Sequence, residues 1–415
     1  MKFTNDIYDY IRSGETTSKK LGLEIEHFVV DKNGNQIGFD LVSSLIEKIG
    51  KKIGATLHHT DGYVVGYNTD KYCITLEPSC QFEISINPYS SIKKIKQIYD
   101  DFFALWSATF SEHGYHIETY GNLPNVELGI ITPDEIPLSP KTRYKYMNQH
   151  FSQTGKYGKY MMRASASAQI SVDFSSEKDM VRKLRVLQKI SPLLMIIMEN
   201  KTSQTSTLPG AEGKPHLHRI QQWDDIDPAR TGFISHSFDD DFGYDSIASQ
   251  VYNLPLILFS DESKSIYVGE KSAKDLFEEK TIDEESLTDK KKTNIIEHFI
   301  SMGFFHFRIK KYIEIRVADS VPIDKALGYV ALIKGLIYSE ENLAKLEKKF
   351  ESIQSISDIN AAIEEIEKYG FDAHIYGAQN VKDLANYLIE LSKDGLNSEE
   401  KEYPDNVRAF WSNSK

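Results

Sequence analysis

The sequence predicts an α+β fold: a curved, mainly antiparallel sheet with one polar face, backed by helices. Three observations carry this. Four separate segments alternate apolar and polar side chains with the two-residue period of strands. Segments of helical spacing lie between them, and from residue 323 onward the pattern is almost all helical. Neither GxxxxGK nor GxGxxG occurs, so neither a P-loop nor a dinucleotide fold is supported.

The first strand is LGLEIEHFVVD, residues 21–31. Leu23, Ile25, His27 and Val29 share one face, and Glu24, Glu26, Phe28 and Val30 share the other. His27 therefore reads as a core histidine. Residues 41–52 have helical spacing. Residues 75–86, TLEPSCQFEISI, place Glu77, Gln81, Glu83 and Ser85 opposite Phe82, Ile84 and Ile86. Residues 91–113 form a helix lined by Ile92, Ile95, Ile98, Phe102, Leu105 and Phe110. A shorter helix over 140–152 starts near Ser139-Pro140. Residues 163–174, RASASAQISVDF, place Arg163, Ser165, Ser167, Gln169, Ser171 and Asp173 on one face. A long helix over 175–199 follows, with Ser175 or Ser176 as its cap. The Gly/Pro/Ser/Thr-rich stretch 200–217 reads as a long loop, a length that is often functional. The charged stretch 261–292 reads as an exposed excursion. In 312–317, YIEIRV, Glu314 and Arg316 oppose Ile313, Ile315 and Val317. Helices over 323–350, 356–369 and 379–394 close the chain.

Composition bounds the function. The chain has 415 residues, 40% hydrophobic and 27% charged, as an ordinary globular protein does. It is read as a single catalytic domain over 1–415, of which 340–415 is a helical C-terminal part. A net charge of −12 argues against nucleic acid and anionic membrane as partners, because both select basic surfaces. Two cysteines, Cys73 and Cys80, exclude a disulfide framework and point to a reducing cytoplasm. No signal core precedes the first strand, and the apolar run PLLMIIM is too short to span a bilayer. The oligomeric state is not legible.

A sheet with one wet face also alternates. Such a face usually mixes Thr, Lys, Arg and Glu, whereas these strands carry glutamates, glutamine, arginine and small serines without lysine. Glu24 and Glu26 stand roughly 7 Å apart by strand rise. Crowded carboxylates need counter-charge, and the two arginines of these strands, Arg163 and Arg316, are too few. Hard divalent cations such as Mg2+ or Mn2+ fit oxygen ligands best, and Mg2+ held this way usually accompanies phosphate chemistry. The strands alone thus point to an enzyme that uses ATP. A cluster of this kind costs stability without its cation, so removing the charge of Glu26 or Glu314 is expected to spare the fold.

The segments resemble the glutamate–cysteine ligase family. GLEIEHFVVD is similar to its metal-binding strand, and LEPSCQFEIS to its LEPGGQFELS pattern. PKTRYKYM, GKYGKYMMRASASAQISVDFSSEKDMVRK, EGKP, HRIQQWDDIDPARTG, FDDDFGYD and KKYIEIRVAD follow in the family order over residues 20–335. The likeness is greatest to the plant and proteobacterial branch and implies a glutamine synthetase-like fold. It also implies a reaction: ATP phosphorylates the γ-carboxyl of L-glutamate, and the amine of L-cysteine attacks the acyl phosphate, the first step of glutathione synthesis.

Carried onto this chain, the resemblance makes Glu24, Glu26, Glu83 and Glu314 ligands of Mg2+, with Gln169 facing metal or phosphate. Glu77 divides between metal and amine substrate. Arg316 meets the transferred phosphoryl group, as bidentate geometry favours, beside Glu314. Arg219 holds a glutamate carboxylate, and Arg163, Arg143 and Arg230 are further substrate contacts, Arg230 being equally placed to brace a turn. The chain departs from the pattern at Ser79-Cys80, where glycines would permit positive φ, and at ASASAQ, residues 164–169, whose side chains are smaller. Both departures bear on the acceptor amine, so a related ligase using another amine is the alternative. A sensor of nucleotide or glutamate on the same fold is the second alternative, although the retained carboxylates argue against it.

Overall fold

The centre of the fold is strand β1 (Leu21–Asp31), which pairs antiparallel with three others. In a computed structural model that describes residues 2–261 and 265–410, the other strands of the main sheet are β2 (Thr56–Thr60), β3 (Tyr63–Asn68), β4 (Tyr72–Leu76), β5 (Phe82–Tyr89), β6 (Tyr115–Glu118) and β7 (Ser167–Val172). After the small hairpin β8 (Leu258–Ser260) and β9 (Ser265–Tyr267), the sheet is completed by β10 (Phe307–Ile309) and β11 (Ile313–Asp319). Its order is β10-β11-β7-β1-β5-β4-β3-β2, with β6 on the far half of β1. Every pairing is antiparallel, as the two-residue alternation predicts. Register shifts at Leu21/Leu23, His58/His59 and Ile315/Ala318 bend the strands, as bulges do.

Register sets the site. Glu24 lies opposite both Ser85 and Gln169, and Glu26 lies opposite Glu83. The other parity is core: Leu23, Ile25, Ile84, Ile170, Ile313 and Ile315 are all fully buried. His27 is buried with them and fully satisfied. Its Nδ1–H donates to the Phe82 carbonyl at 2.9 Å, and its Nε2 accepts from the Tyr99 hydroxyl at 2.8 Å.

Helices cover the apolar face and frame the polar one. They are α1 (Lys2–Arg12), α2 (Phe39–Ile53), α3 (Ile92–Ser111), the single turn α4 (Pro124–Glu127), α5 (Thr142–Thr154), α6 (Gly158–Ala164), α7 (Glu177–Ile197) and α8 (His218–Ile226). Then come α9 (Tyr244–Asn253), α10 (Ala273–Glu278), α11 (Asp289–Ser301), α12 (Ile323–Ile337), α13 (Glu340–Lys349), α14 (Ile356–Tyr369) and α15 (Val381–Asp394). Ser176 caps α7 by accepting from Asp179 N. The buried α12 packs on β1 and α3 and is itself covered by α15. Gly335 of α12 permits that last contact, because a Cβ there would lie 2.0 Å from the Ser392 carbonyl oxygen. Among the described residues no helix is long and apolar enough to cross a membrane.

Four readings of the sequence change. Residues 75–86 are not one strand but β4 and β5 joined by a turn, in which Glu77 N donates to Gln81 O and Cys80 N to Glu77 O. Cys80 takes φ 65° there, the left-handed conformation for which glycine is the usual choice. Residues 163–174 begin inside α6, so Arg163 is helical and leaves the strand face. The pattern 323–350 divides at Tyr338 and Ser339 into α12 and α13. The stretch 261–292 holds β9, α10 and the start of α11, and its residues 262–264 lie outside the described ones.

Two stability predictions follow from the packing. Burial lowers the His27 pKa to about 4. The unfolded chain therefore takes up the proton first as pH falls below the ordinary imidazole value. Wild type is expected to lose about 2 kcal/mol between pH 7 and pH 5 that His27→Gln does not lose, read by urea unfolding at both pH values. Gly335→Ala overpacks the α12–α15 contact and is expected to cost ~1–3 kcal/mol, seen as a lower urea midpoint at unchanged slope.

Candidate active site

The polar face of the sheet floors a cavity of about 410 Å3. Its floor is Glu24 and Glu26 from β1, Glu83 and Ser85 from β5, Gln169 from β7, and Glu314 and Arg316 from β11. The β4–β5 turn contributes Glu77 and Gln81. Arg143 and Tyr144 enter from α5, and Arg219 and Trp223 from α8. Four distant segments of the sequence thus meet because neighbouring antiparallel strands carry same-face residues side by side.

The cavity divides by charge. On one side Glu314, buried to 1% exposure, is ringed by three cations. Arg308 Nε donates to its Oε2 at 2.6 Å, Lys310 Nζ to its Oε1 at 2.7 Å, and Arg316 Nη1 to Oε2 at 3.3 Å. Burial alone would raise the pKa of Glu314, but Arg308, Lys310 and Arg316 outweigh it and hold the carboxyl well below the usual range. Arg316 Nη1 also donates to Gln169 Oε1 at 2.6 Å.

On the other side Glu26, Glu77 and Glu83, with Glu24 nearest the basic side, make no salt bridge among the described residues. Burial and Glu77 push Glu26 up to about 7. Burial, then Glu77, Glu24 and Glu26, hold Glu83 well above the usual range. Burial and Glu314 raise Glu24. The hydrogen bonds to Glu26, Glu83 and Glu77 come from neutral donors. Ser167 N reaches Glu26 Oε2 at 2.5 Å, Thr75 Oγ1 reaches Glu83 Oε1 at 2.7 Å, and the Tyr144 hydroxyl reaches Glu77 Oε2 at 3.3 Å. This oxygen-only donor set suits a hard divalent cation. Among the described residues no three carboxylate or imidazole side chains converge on one point; Glu26 and Glu83, opposite each other in register, are the pair that would hold a cation.

The structure assembles Glu24, Glu26, Glu77, Glu83, Gln169, Arg143, Arg219, Glu314 and Arg316 around one cavity. Glu314 accepts from cations at both carboxylate oxygens, and Gln169 accepts from Arg316 at its carbonyl oxygen, so both also orient the basic side. Two expected substrate contacts do not line the cavity. Arg163 sits on α6, where Asp134 is the charge that acts on it. Arg230 is fully buried and braces its own turn: it pairs with Asp227 three residues earlier, and its Nε donates to the Pro255 carbonyl at 2.8 Å.

Arg308, Lys310, Tyr144 and Trp223 were not singled out from the sequence. A signal for the first two existed. FRIKKYIEI reads as a hairpin, and its register sets Arg308 opposite Glu314. These cations supply counter-charge that the strand count had missed. Trp223 lies under two arginines, with the Arg219 and Arg316 guanidinium carbons each 5.8 Å from its ring, a cation–π arrangement that spaces them.

The geometry separates two substitutions expected to behave alike. Glu314→Gln strips the anion from three buried or half-buried cations and is expected to destabilise by ~3–5 kcal/mol. Glu26→Gln replaces a carboxyl that burial and Glu77 push up to about 7, so that its neutral form is already well populated, and is expected to change stability by less than ~1 kcal/mol at pH 7. Chemical denaturation of both variants in the presence of a chelator checks this.

The sequence matches the family described as Glutamate-cysteine ligase family 2 over residues 20–382. It is 28% identical over 412 residues to glutamate–cysteine ligase B, chloroplastic, of Oryza sativa subsp. japonica, covering 94% of this chain and 77% of that one. It is 27% identical over 410 residues to the chloroplastic glutamate–cysteine ligase of Medicago truncatula, covering 94% and 75%. The crystal structure of glutamate–cysteine ligase from Francisella tularensis in complex with AMP aligns with a TM-score of 0.49 at 14% identity, covering 95% of this chain and 81% of that one. With a family match that spans most of its length, this chain belongs to glutamate–cysteine ligase family 2.

Proposed function

We propose that this protein joins the γ-carboxyl of L-glutamate to the α-amine of L-cysteine at the expense of ATP. The observation that carries the reading is the charge-divided cavity in a chain of this family. The γ-phosphoryl group of ATP passes to a γ-carboxylate oxygen of glutamate, giving γ-glutamyl phosphate and ADP. The neutral amine of cysteine then attacks the acyl carbon and phosphate leaves, forming γ-glutamylcysteine.

Each side of the cavity has work in that sequence. Arg316, held by Glu314 and Gln169, presents its guanidinium to the transferred phosphoryl oxygens, where a planar fork offers two parallel hydrogen bonds. Arg308 and Lys310 keep Glu314 ionised and add positive charge beside it. Arg219 faces the cavity from α8 and is suited to a substrate carboxylate, and Arg143 of α5 lines the same cavity. Glu24, Glu26 and Glu83, with Glu77 nearby, would hold Mg2+ or Mn2+. Such an ion supplies charge neutralisation for the phosphate chain. Arrangement of reactants and stabilisation of developing charge are what phosphoryl transfer requires of a protein.

Residues 1–415 form one catalytic unit in this reading, with α13, α14 and α15 packed on α7 and α12. Two free thiols, each pushed up to about 12 chiefly by burial, suit a reducing cytoplasm and take no part in the chemistry.

The test is ADP release from ATP and Mg2+ with L-glutamate, adding cysteine and a panel of other amines one at a time. Cysteine is expected to stimulate most, with γ-glutamylcysteine as product. Greater stimulation by another amine would replace the acceptor, and ATP binding without turnover would overturn the ligase reading. Glu83→Gln is expected to raise the Mg2+ concentration needed for half-maximal rate on the order of 10-fold or more, read from Mg2+ titrations.

A further inference from the structure

Arg219 is delivered to the cavity by a segment that has no regular structure of its own before it. α8 is only nine residues long, no side chain caps its N-terminus, and the loop 200–217 precedes it. Leu217, which leads into the helix, takes φ 60°. A residue with a side chain stays in that conformation only where its surroundings enforce it.

Two carboxylates do the enforcing, one at each side of the loop. Glu199 follows α7 directly, and its side chain is 9% exposed. Its Oε1 accepts from Leu217 N at 2.6 Å, and its Oε2 accepts from His216 Nδ1 at 2.9 Å. Its carbonyl oxygen accepts from Lys325 Nζ of α12 at 2.9 Å, which ties it to the core. Glu127, at the end of α4, accepts from Thr202 N at 2.9 Å and Ser206 Oγ at 3.0 Å, and lies 3.4 Å from His218 Nδ1. The side chains of Glu127 and His218 are both 2% exposed. Two residues beyond Leu217, Arg219 Nη1 donates to the Arg316 carbonyl at 3.1 Å, while its buried Nε has no partner among the described residues.

We propose that Glu199, assisted by Glu127, is a positioning residue for substrate recognition: by clamping the backbone at Leu217 it fixes where Arg219 presents its guanidinium to an anionic group of the acyl donor. The inference rests on the reading that Arg219 holds a carboxylate of L-glutamate. Neither glutamate lines the cavity, so neither touches substrate. Their effect passes through one arginine and so falls on one substrate.

The experiment is steady-state kinetics of the full chain with varied L-glutamate and varied ATP, for Glu199→Ala, Glu199→Gln, Arg219→Ala and the Glu199→Ala/Arg219→Ala double variant. Glu199→Ala is expected to raise KM for L-glutamate on the order of 10-fold, the effect of losing one hydrogen bond to a charged group. KM for ATP should stay within about twofold. Glu199→Gln keeps an oxygen for Leu217 N and should restore most of the loss. In the Arg219→Ala background, Glu199→Ala should add less than about twofold, since the two act as a unit. Additive effects, or an equal rise in KM for ATP, would overturn the positioning role. Should Glu199→Ala fail to fold, His216→Ala, which removes one of the two donors that hold the Glu199 carboxylate, decides the question: KM for glutamate alone is expected to rise, and an unchanged value overturns the positioning role. If Arg219→Ala leaves KM for glutamate unchanged, the assignment of Arg219 falls and this inference with it. If Arg219→Ala raises it and no Glu199 variant does, only the positioning role falls.

Discussion

The buried carboxylate of Glu314 and its three cations are the interaction on which the rest of the site depends. A carboxylate removed from water is stable only when paired and hydrogen-bonded. Arg308 and Lys310 satisfy it from the neighbouring strand and turn, and Arg316 from its own strand. Because Glu314 fixes Arg316, Arg316 in turn fixes the Gln169 amide and, through its carbonyl, one arm of Arg219. Trp223 sits beneath both arginines. A chain of contacts therefore runs from the β10–β11 hairpin to β7 and, through Arg316, to α8, so the basic side of the cavity is paired and hydrogen-bonded without a ligand.

The acidic side is built in the opposite way. Glu24, Glu26 and Glu83 stand on adjacent strands, Glu26 and Glu83 with neutral donors, and burial favours the protonated form of all three. A cation that entered would reverse that preference and relieve the repulsion at once. One face of one sheet thus holds both a pre-paired region and a region short of positive charge. The division suits a reaction that brings together polyanionic ATP, an anionic amino acid and a divalent cation.

The apolar face makes this tolerable. Leu23, Ile25, Ile84, Ile170, Ile313 and Ile315 are fully buried against helices, and α12 is itself buried beneath α15. A one-residue slip of any central strand would exchange the isoleucines for glutamates. The register that orders the site is therefore enforced from behind, by the hydrophobic face, and the carboxylates need contribute nothing to it.

Periodicity made β1 legible, because Leu21, Leu23 and Ile25 alternate with Gly22, Glu24 and Glu26 before a run, His27 to Val30, that is buried on both faces. The same signal placed Glu24, Glu26, Glu83 and Glu314 on a common kind of face, and His27 in the core. It failed where alternation ran across a boundary. The turn at 77–81 preserves parity while reversing the chain, and α6 ends inside an apparent strand, so Glu77 left its strand and Arg163 left the site. The sequence by itself determined the two-faced strands, the helical C-terminal part and the types of residue the site would contain, since these follow from local spacing. Only the tertiary structure decided which carboxylates are paired. Arg308 meets Glu314 across a hairpin, Gln169 meets Arg316 across β7 and β11, and Glu199 meets Leu217 across a long loop. Charge compensation depends on distance in space, and distance in space is set by register and packing rather than by position along the chain.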